Sequence, residues 1–275
     1  MKNTFGNALS ITLFGESHGE AIGAVLDGLA PGIEINEEYI NRQLLRRKAV
    51  GADATARTEA DIPHIISGVF EGKTTGTPLT ILIRNENTKS KDYAAARYLA
   101  RPSHADYAAY QKYHGFEDYR GGGHFSGRIT AALVAASAVV SYALLQKGIR
   151  VGTHMARCGG ISDRSFRSVA DDVNALCALS PDCFPVLDKA RGDEMEKAIL
   201  AAKADSDSVG GVLETAVIGL PSGLGEPWFD SVESVLSHGL FSIPAVKGIE
   251  FGDGFALSDM RGSEANDPFY SDGDS

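Results

Sequence analysis

The stretch SGRITAALVAASAVVSYALLQK, residues 126–147, decides the reading of the fold. From Ala131 to Leu145 it is apolar on nearly every side, which predicts a helix buried in the middle of a domain and covered from several directions. Its many Ala and Ser side chains permit close packing. Gly148 follows as a C′ residue in the left-handed conformation that ends helices. The apolar run falls short of the roughly 20 residues of a membrane span and contains Ser137, Ser141 and Tyr142. Arg128 falls in the first turn, where free backbone N–H groups attract anions.

Immediately upstream lies RPSHADYAAYQKYHGFEDYRGGGHFSGRIT, residues 101–130, with three of the seven histidines, His104, His114 and His124. Arg101, Arg120, Arg128 and the triplet Gly121, Gly122, Gly123 share the segment. Arginine offers a planar fork of donors to phosphate or carboxylate, histidine changes protonation near neutrality, and glycine lets backbone approach a ligand. The mixture predicts an anion-handling site, with a solvated loop as the plain alternative. Asp106 is placed to cap a helix from Tyr107 or to orient a histidine.

Further out, residues 8–14 and 21–26 predict two strands around the turn Gly15 to Gly19. Asn36 predicts an N-cap, followed by Glu37 and Glu38 and a helix to Arg47 with Ile40, Leu44 and Leu45 on one face. Residues 62–70 and 79–83 predict a strand pair, residues 150–156 and 210–218 further strands, and residues 187–204 and 229–240 helices. Residues 246–255 predict a glycine-punctuated strand or loop. Strands and helices mix without regular βαβ alternation, which predicts an α+β fold. No G-x-G-x-x-G follows a strand, so no dinucleotide fold is expected.

Composition narrows the function. The 275 residues are 43% hydrophobic and 23% charged, as in ordinary globular proteins. A formal charge of −10 argues against general nucleic-acid binding, so any action of basic residues on anions must be local. Arg42, Arg46, Arg47, Lys48 and Arg57 make a basic cluster with Asp53 as its one acid; its ordinary reading is a solvated face, and a local anion site is the other. Cys158, Cys177 and Cys183 are odd in number and lack CxxC spacing, which predicts neither disulfides nor zinc. The N-terminus lacks the pattern of a signal peptide, and the expected compartment is the cytoplasm.

Residues 15–19, GESHG, fit G-x-S-x-G, the nucleophile elbow of serine hydrolases, with Ser17 as nucleophile. The elbow requires a following helix, whereas EAIGAVLDG predicts a strand. The other reading is a tight turn presenting His18. His114 and His238 are expected to be structural, and His64 and His154 lie in strands without a nameable partner. No histidine pair has metal-ligand spacing.

Six segments in order, FGESHG at 14–19, RPSHADY at 101–107, DYRGGG at 118–123, GLGEP at 223–227, AVKGIEFGDGF at 245–255 and RGSEAND at 261–267, resemble the motifs of the chorismate synthase family. The resemblance implies a β-α-β sandwich with helices between antiparallel sheets, assembled as a homotetramer. It implies a lyase of aromatic amino acid biosynthesis that removes phosphate and a ring proton from 5-enolpyruvylshikimate 3-phosphate in a 1,4-anti elimination. Reduced FMN is the implied cofactor, with NADPH as a candidate reductant. His18 and His104 match the family's two acids. Arg47 and Arg128 match substrate-binding arginines. His124, Phe125, Ser126, Ala245 and Lys247 match flavin-contacting positions.

The chain departs from the family pattern at Ala52, where many members carry arginine, and at residues 124–129, HFSGRI, where many read RSSARE. The family pattern also runs on past the equivalent of Ser275. The expectation is therefore one domain over residues 1–275 lacking a C-terminal part. The alternatives are a truncated scaffold without activity and a hydrolase using Ser17.

Overall fold

A computed structural model describes residues 2–47, 60–86 and 97–269. The elements in chain order are β1 (Thr4–Gly6), β2 (Ser10–Gly15), β3 (Ala21–Asp27), α1 (Glu37–Arg47), β4 (Pro63–Ser67), β5 (Val69–Phe70), β6 (Lys73–Thr74) and β7 (Leu79–Arg84). They continue with α2 (Asp106–Tyr113), α3 (Thr130–Gln146), β8 (Arg150–Cys158), β9 (Ile161–Ser162), α4 (Val169–Ala178), α5 (Lys189–Ala204), β10 (Gly211–Ile218) and α6 (Val232–Leu240). The chain divides into two units, Met1–Leu220 and Pro221–Ser275.

The first unit is α+β with antiparallel sheets. Five strands pair in the order β1-β2-β3-β7-β4, and three in the order β10-β8-β9. Alternation sets which side faces inward: Ile22, Ala24 and Leu26 of β3 and Leu79, Ile81 and Ile83 of β7 are buried. Against this layer lie Ile40 and Leu44 of α1 and the alanine-rich face of α3. Ala131, Ala132, Ala135, Ala136 and Ala138 are all buried, so small side chains bring the helix close to the sheet. α3 also contacts β8, and so reaches both sheets.

Several expectations need correction at this level. The helix does not begin at Ser126: a tight turn over Gly127–Ile129 precedes it, with Ser126 accepting from Arg128 N at 3.3 Å. Leu45 is not part of the α1 core face but is 46% exposed. The strand expected over residues 62–70 divides at Gly68, and β5 turns away to pair with β6. α4 was not foreseen. Its Val173 and Leu176 are buried and it lies on β8 and β10. Asn36 does cap α1, accepting from Tyr39 N at 2.8 Å, and Gly148 does end α3 at φ +81°.

His154 acquires the partners that sequence left unnamed. Its ring is fully buried, with Nδ1 3.0 Å from Asp163 and Nε2 2.7 Å from Glu214, tying β8 to β10. Cys158, Cys177 and Cys183 are free thiols, and burial pushes the Cys158 thiol up. The second unit contains α6 and a tight turn over Gly254–Asp259 where a strand or loop was expected. None of its described residues is buried.

Candidate functional site

The site forms where the β2–β3 turn meets the glycine triplet. Antiparallel pairing of Gly15 with Ile22 closes the turn that carries Ser17 and His18, both buried. Ser17 N donates to Gly123 O at 3.1 Å. Gly121, Gly122 and Gly123 all adopt positive φ, at 59°, 85° and 54°. A side chain on Gly121 would collide with the His18 ring and Ser17 Oγ, so the triplet lies directly over the histidine.

Ser17 Oγ is 2.8 Å from His18 Nδ1, 3.1 Å from Arg120 O and 3.2 Å from Gly121 O. Carbonyl oxygens can only accept. The hydroxyl proton therefore goes to them, and His18 Nδ1–H donates to Ser17 Oγ. That polarity is the reverse of an activated serine, whose proton the imidazole must take. Together with complete burial and the strand that follows the turn, it removes the hydrolase alternative. It also makes Nε2 the atom whose protonation sets the charge of His18.

His104 is exposed and shares a cleft with Gly121 and Gly122. Its Nδ1 is 3.0 Å from Pro102 O and donates to it, so Nε2 is again the variable nitrogen. A cleft of about 170 Å³ is lined by Arg101, His104, Gly121, Gly122, Ser126 and Gly127. Asp106 makes no side-chain cap for α2. Instead its carboxylate takes Arg101 N, Nε and Nη2, each at 2.9 Å. The Arg101 hydrogen bonds pull Asp106 down to about 2, against a smaller opposing effect of burial. Asp118 is lowered in the same way by Arg120.

The two arginines foreseen for the substrate meet at a residue that sequence reading passed over. Asp61, with φ +52°, receives Arg47 Nη1 on Oδ2 at 2.9 Å and Arg128 Nη1 on Oδ1. Arg47 also donates from Nε to Thr130 Oγ1 at 3.2 Å and from Nη2 to Gly127 O at 3.3 Å, which brings it beside the cleft. Arg128 donates from Nε to Asn85 Oδ1 at 2.9 Å and from Nη2 to Arg84 O at 3.2 Å. The side-chain exposures are 24% for Arg47 and 3% for Arg128, so Arg47 is the accessible end of the cluster. Asp61 carried one faint signal, an acid just before a β-branched run. Ala52, Lys48 and Arg57 lie outside the described residues.

A wider cleft of about 730 Å³ adjoins the first, sharing Arg101, Asp106, Gly122 and Phe125 with it. Its walls include Phe14, Tyr110, Tyr119, His124 and Phe125. His124 Nδ1 donates to Gly15 O at 2.7 Å, and Phe125 meets Tyr113 edge-on at 6.0 Å between centroids. Ala245 and Lys247 are exposed in the second unit, Ala245 with φ +72°.

Comparison with known proteins agrees with this arrangement of motifs. A chorismate synthase family model matches residues 9–274. A chorismate synthase of Thermococcus kodakarensis is 46% identical over 96% of this chain and 72% of its own length. One of Aeropyrum pernix is 43% identical over 97% and 70%, and one of Chitinophaga pinensis 46% over 96% and 70%. A crystal structure of chorismate synthase superposes with a TM-score of 0.76 at 29% identity, covering 96% of this chain and 75% of that one. Motifs, fold and relatives converge, and the chain belongs to the chorismate synthase family.

Proposed function

We propose that the chain eliminates phosphate from 5-enolpyruvylshikimate 3-phosphate in a 1,4-anti sense to give chorismate. The observation that carries the residue assignment is the glycine triplet. It has His18 beneath it and lines one cleft with His104, beside which Arg47 emerges. The reaction breaks the C–O bond to phosphate and one ring C–H bond and forms a second ring double bond, with no net oxidation. Charge accumulates on the departing phosphate, so cationic and proton-bearing groups near it lower the barrier. Arg47 and Arg128 supply positive charge for binding that phosphate. His18 and His104 act as the two acids, each holding its exchangeable proton on Nε2.

The wider cleft suits reduced FMN in volume and in its aromatic walls, since small-molecule sites span about 300–1,000 Å³. His124 and Phe125, which line this cleft, and Ser126, which lines the adjoining one, are the residues we assign to the flavin. When bound, reduced flavin would supply an electron-rich ring to the reaction. We further assign the protein to the cytoplasm as a homotetramer. The test is anaerobic incubation of the protein with reduced FMN and the phosphorylated substrate, following chorismate absorbance and phosphate release together. Equal amounts of both products are expected. Folded, flavin-bound protein that releases no phosphate would overturn the proposal. Replacing the chemical reductant by NADPH shows whether the chain reduces its own flavin.

A further inference from the structure

Asn85 lies just after β7. Pairing of Ala21 with Arg84 sets Asn85 opposite Glu20, whose carbonyl accepts from Asn85 N at 3.1 Å. The side chain then reaches two structures at once. Its Nδ2 donates to Glu16 O and to Gly19 O, each at 2.9 Å. Those carbonyls are the two shoulders of the turn holding Ser17 and His18. Its Oδ1 accepts from Arg128 Nε at 2.9 Å. An amide has donors on one end and an acceptor on the other, so two carbonyls and a guanidinium N–H permit one orientation only.

Arg128 meets Asp61 on the buried side, and Asp61 meets Arg47 at 2.9 Å. A continuous series of hydrogen bonds thus joins the His18 turn to the accessible arginine. We infer that Asn85 is a positioning residue for the elimination, setting the place of His18 relative to the phosphate-binding arginines. The inference rests on the roles given above to His18 and Arg47. Asn85 is uncharged, so Asn85→Ala alters geometry while leaving the net charge of the cluster unchanged, whereas Asn85→Asp also adds one negative charge beside Arg128.

The test uses Asn85→Ala and Asn85→Asp in the full chain. The aspartate keeps an acceptor for Arg128 but sets an oxygen against the two turn carbonyls, so it carries the test if the alanine variant does not fold. Misplacing a reacting group by about 1 Å costs on the order of 10²-fold, and kcat is expected to fall by about that much in each variant. In Asn85→Ala the KM for the phosphorylated substrate should change less than about threefold, the pattern of an interaction realised in the transition state, while the added charge of Asn85→Asp raises it further. In a His18→Ala background neither variant should lower kcat further. The ring NMR signals of His18 should move in both variants, while those of His64, exposed on β4, should not. Wild-type kcat in the Asn85 variants, or losses that simply multiply with that of His18→Ala, overturns the inference. Wild-type turnover in His18→Ala overturns the underlying reading as well, so the two failures are told apart.

Discussion

At the scale of single residues, the histidine assignment makes the sharpest claim. His18→Ala and His104→Ala should each lower turnover by roughly 10²–10⁴, the usual effect of losing an acid or base. Steady-state kinetics with reduced FMN checks this, and near-normal turnover in both variants would remove the assignment. Gly121 gives a claim about stability. Its φ of 59° and the His18 ring beneath it leave no room for a Cβ. Gly121→Ala should cost about 1–3 kcal/mol or more, the range for strained backbone positions, and should disturb the His18 ring as well. Urea denaturation measures the first and histidine NMR the second; wild-type stability would mean that the triplet is free to move. The motif alone marked these glycines as necessary. It did not show that their task is to cover a histidine, because that contact joins residues about a hundred positions apart.

At the scale of elements, α3 is limited by its own small side chains. Ala135 is wholly buried against the sheet. Ala135→Leu should therefore destabilise by about 1–3 kcal/mol through overpacking, although leucine ranks just below alanine as a helix former. A gain in melting temperature would show a void where close packing is described. The start of α2 yields a pH dependence. Arg101 holds Asp106 at about 2, below the ordinary carboxylate range. A depressed folded-state pKa contributes stability that is present above the unfolded value of about 3.9 and lost as pH falls toward 2. Asp106→Asn should be less stable than wild type at pH 5 to 7, and the difference should shrink between about pH 4 and 2. Chemical denaturation at pH 6 and pH 2.5 tests the sign, and a gap that widens in acid would contradict it. Sequence had suggested Asp106 as a cap. Its side chain instead folds back on Arg101, five residues earlier. A local alternative of this kind is hard to rank against a cap without coordinates.

At the scale of the whole molecule, the second unit has no described residue that is buried. Trp228, Phe229 and Phe255 are among its side chains that are at least four-fifths exposed. Large exposed aromatic side chains mark interaction surfaces more often than chance. This supports the proposed homotetramer, and sedimentation equilibrium should give a mass of four chains. A monomer at tens of micromolar would contradict it.

Sequence by itself settled the α+β class, the capped helix from Asn36, the central helix within residues 126–147 though not its start, and the family through six ordered motifs. Those readings rest on local causes: residue periodicity, capping groups and glycine-marked turns. Tertiary structure alone decided which polar groups meet. Asp61 between Arg47 and Arg128, Asn85 between the His18 turn and Arg128, and Asp163 and Glu214 on either side of His154 all join segments distant in the chain or reversed by a turn. A buried carboxylate or amide has the same local pattern in sequence as a solvated one. Only the register of the sheets and the packing of α3 bring its partners within 3 Å or so, the range in which a hydrogen bond forms.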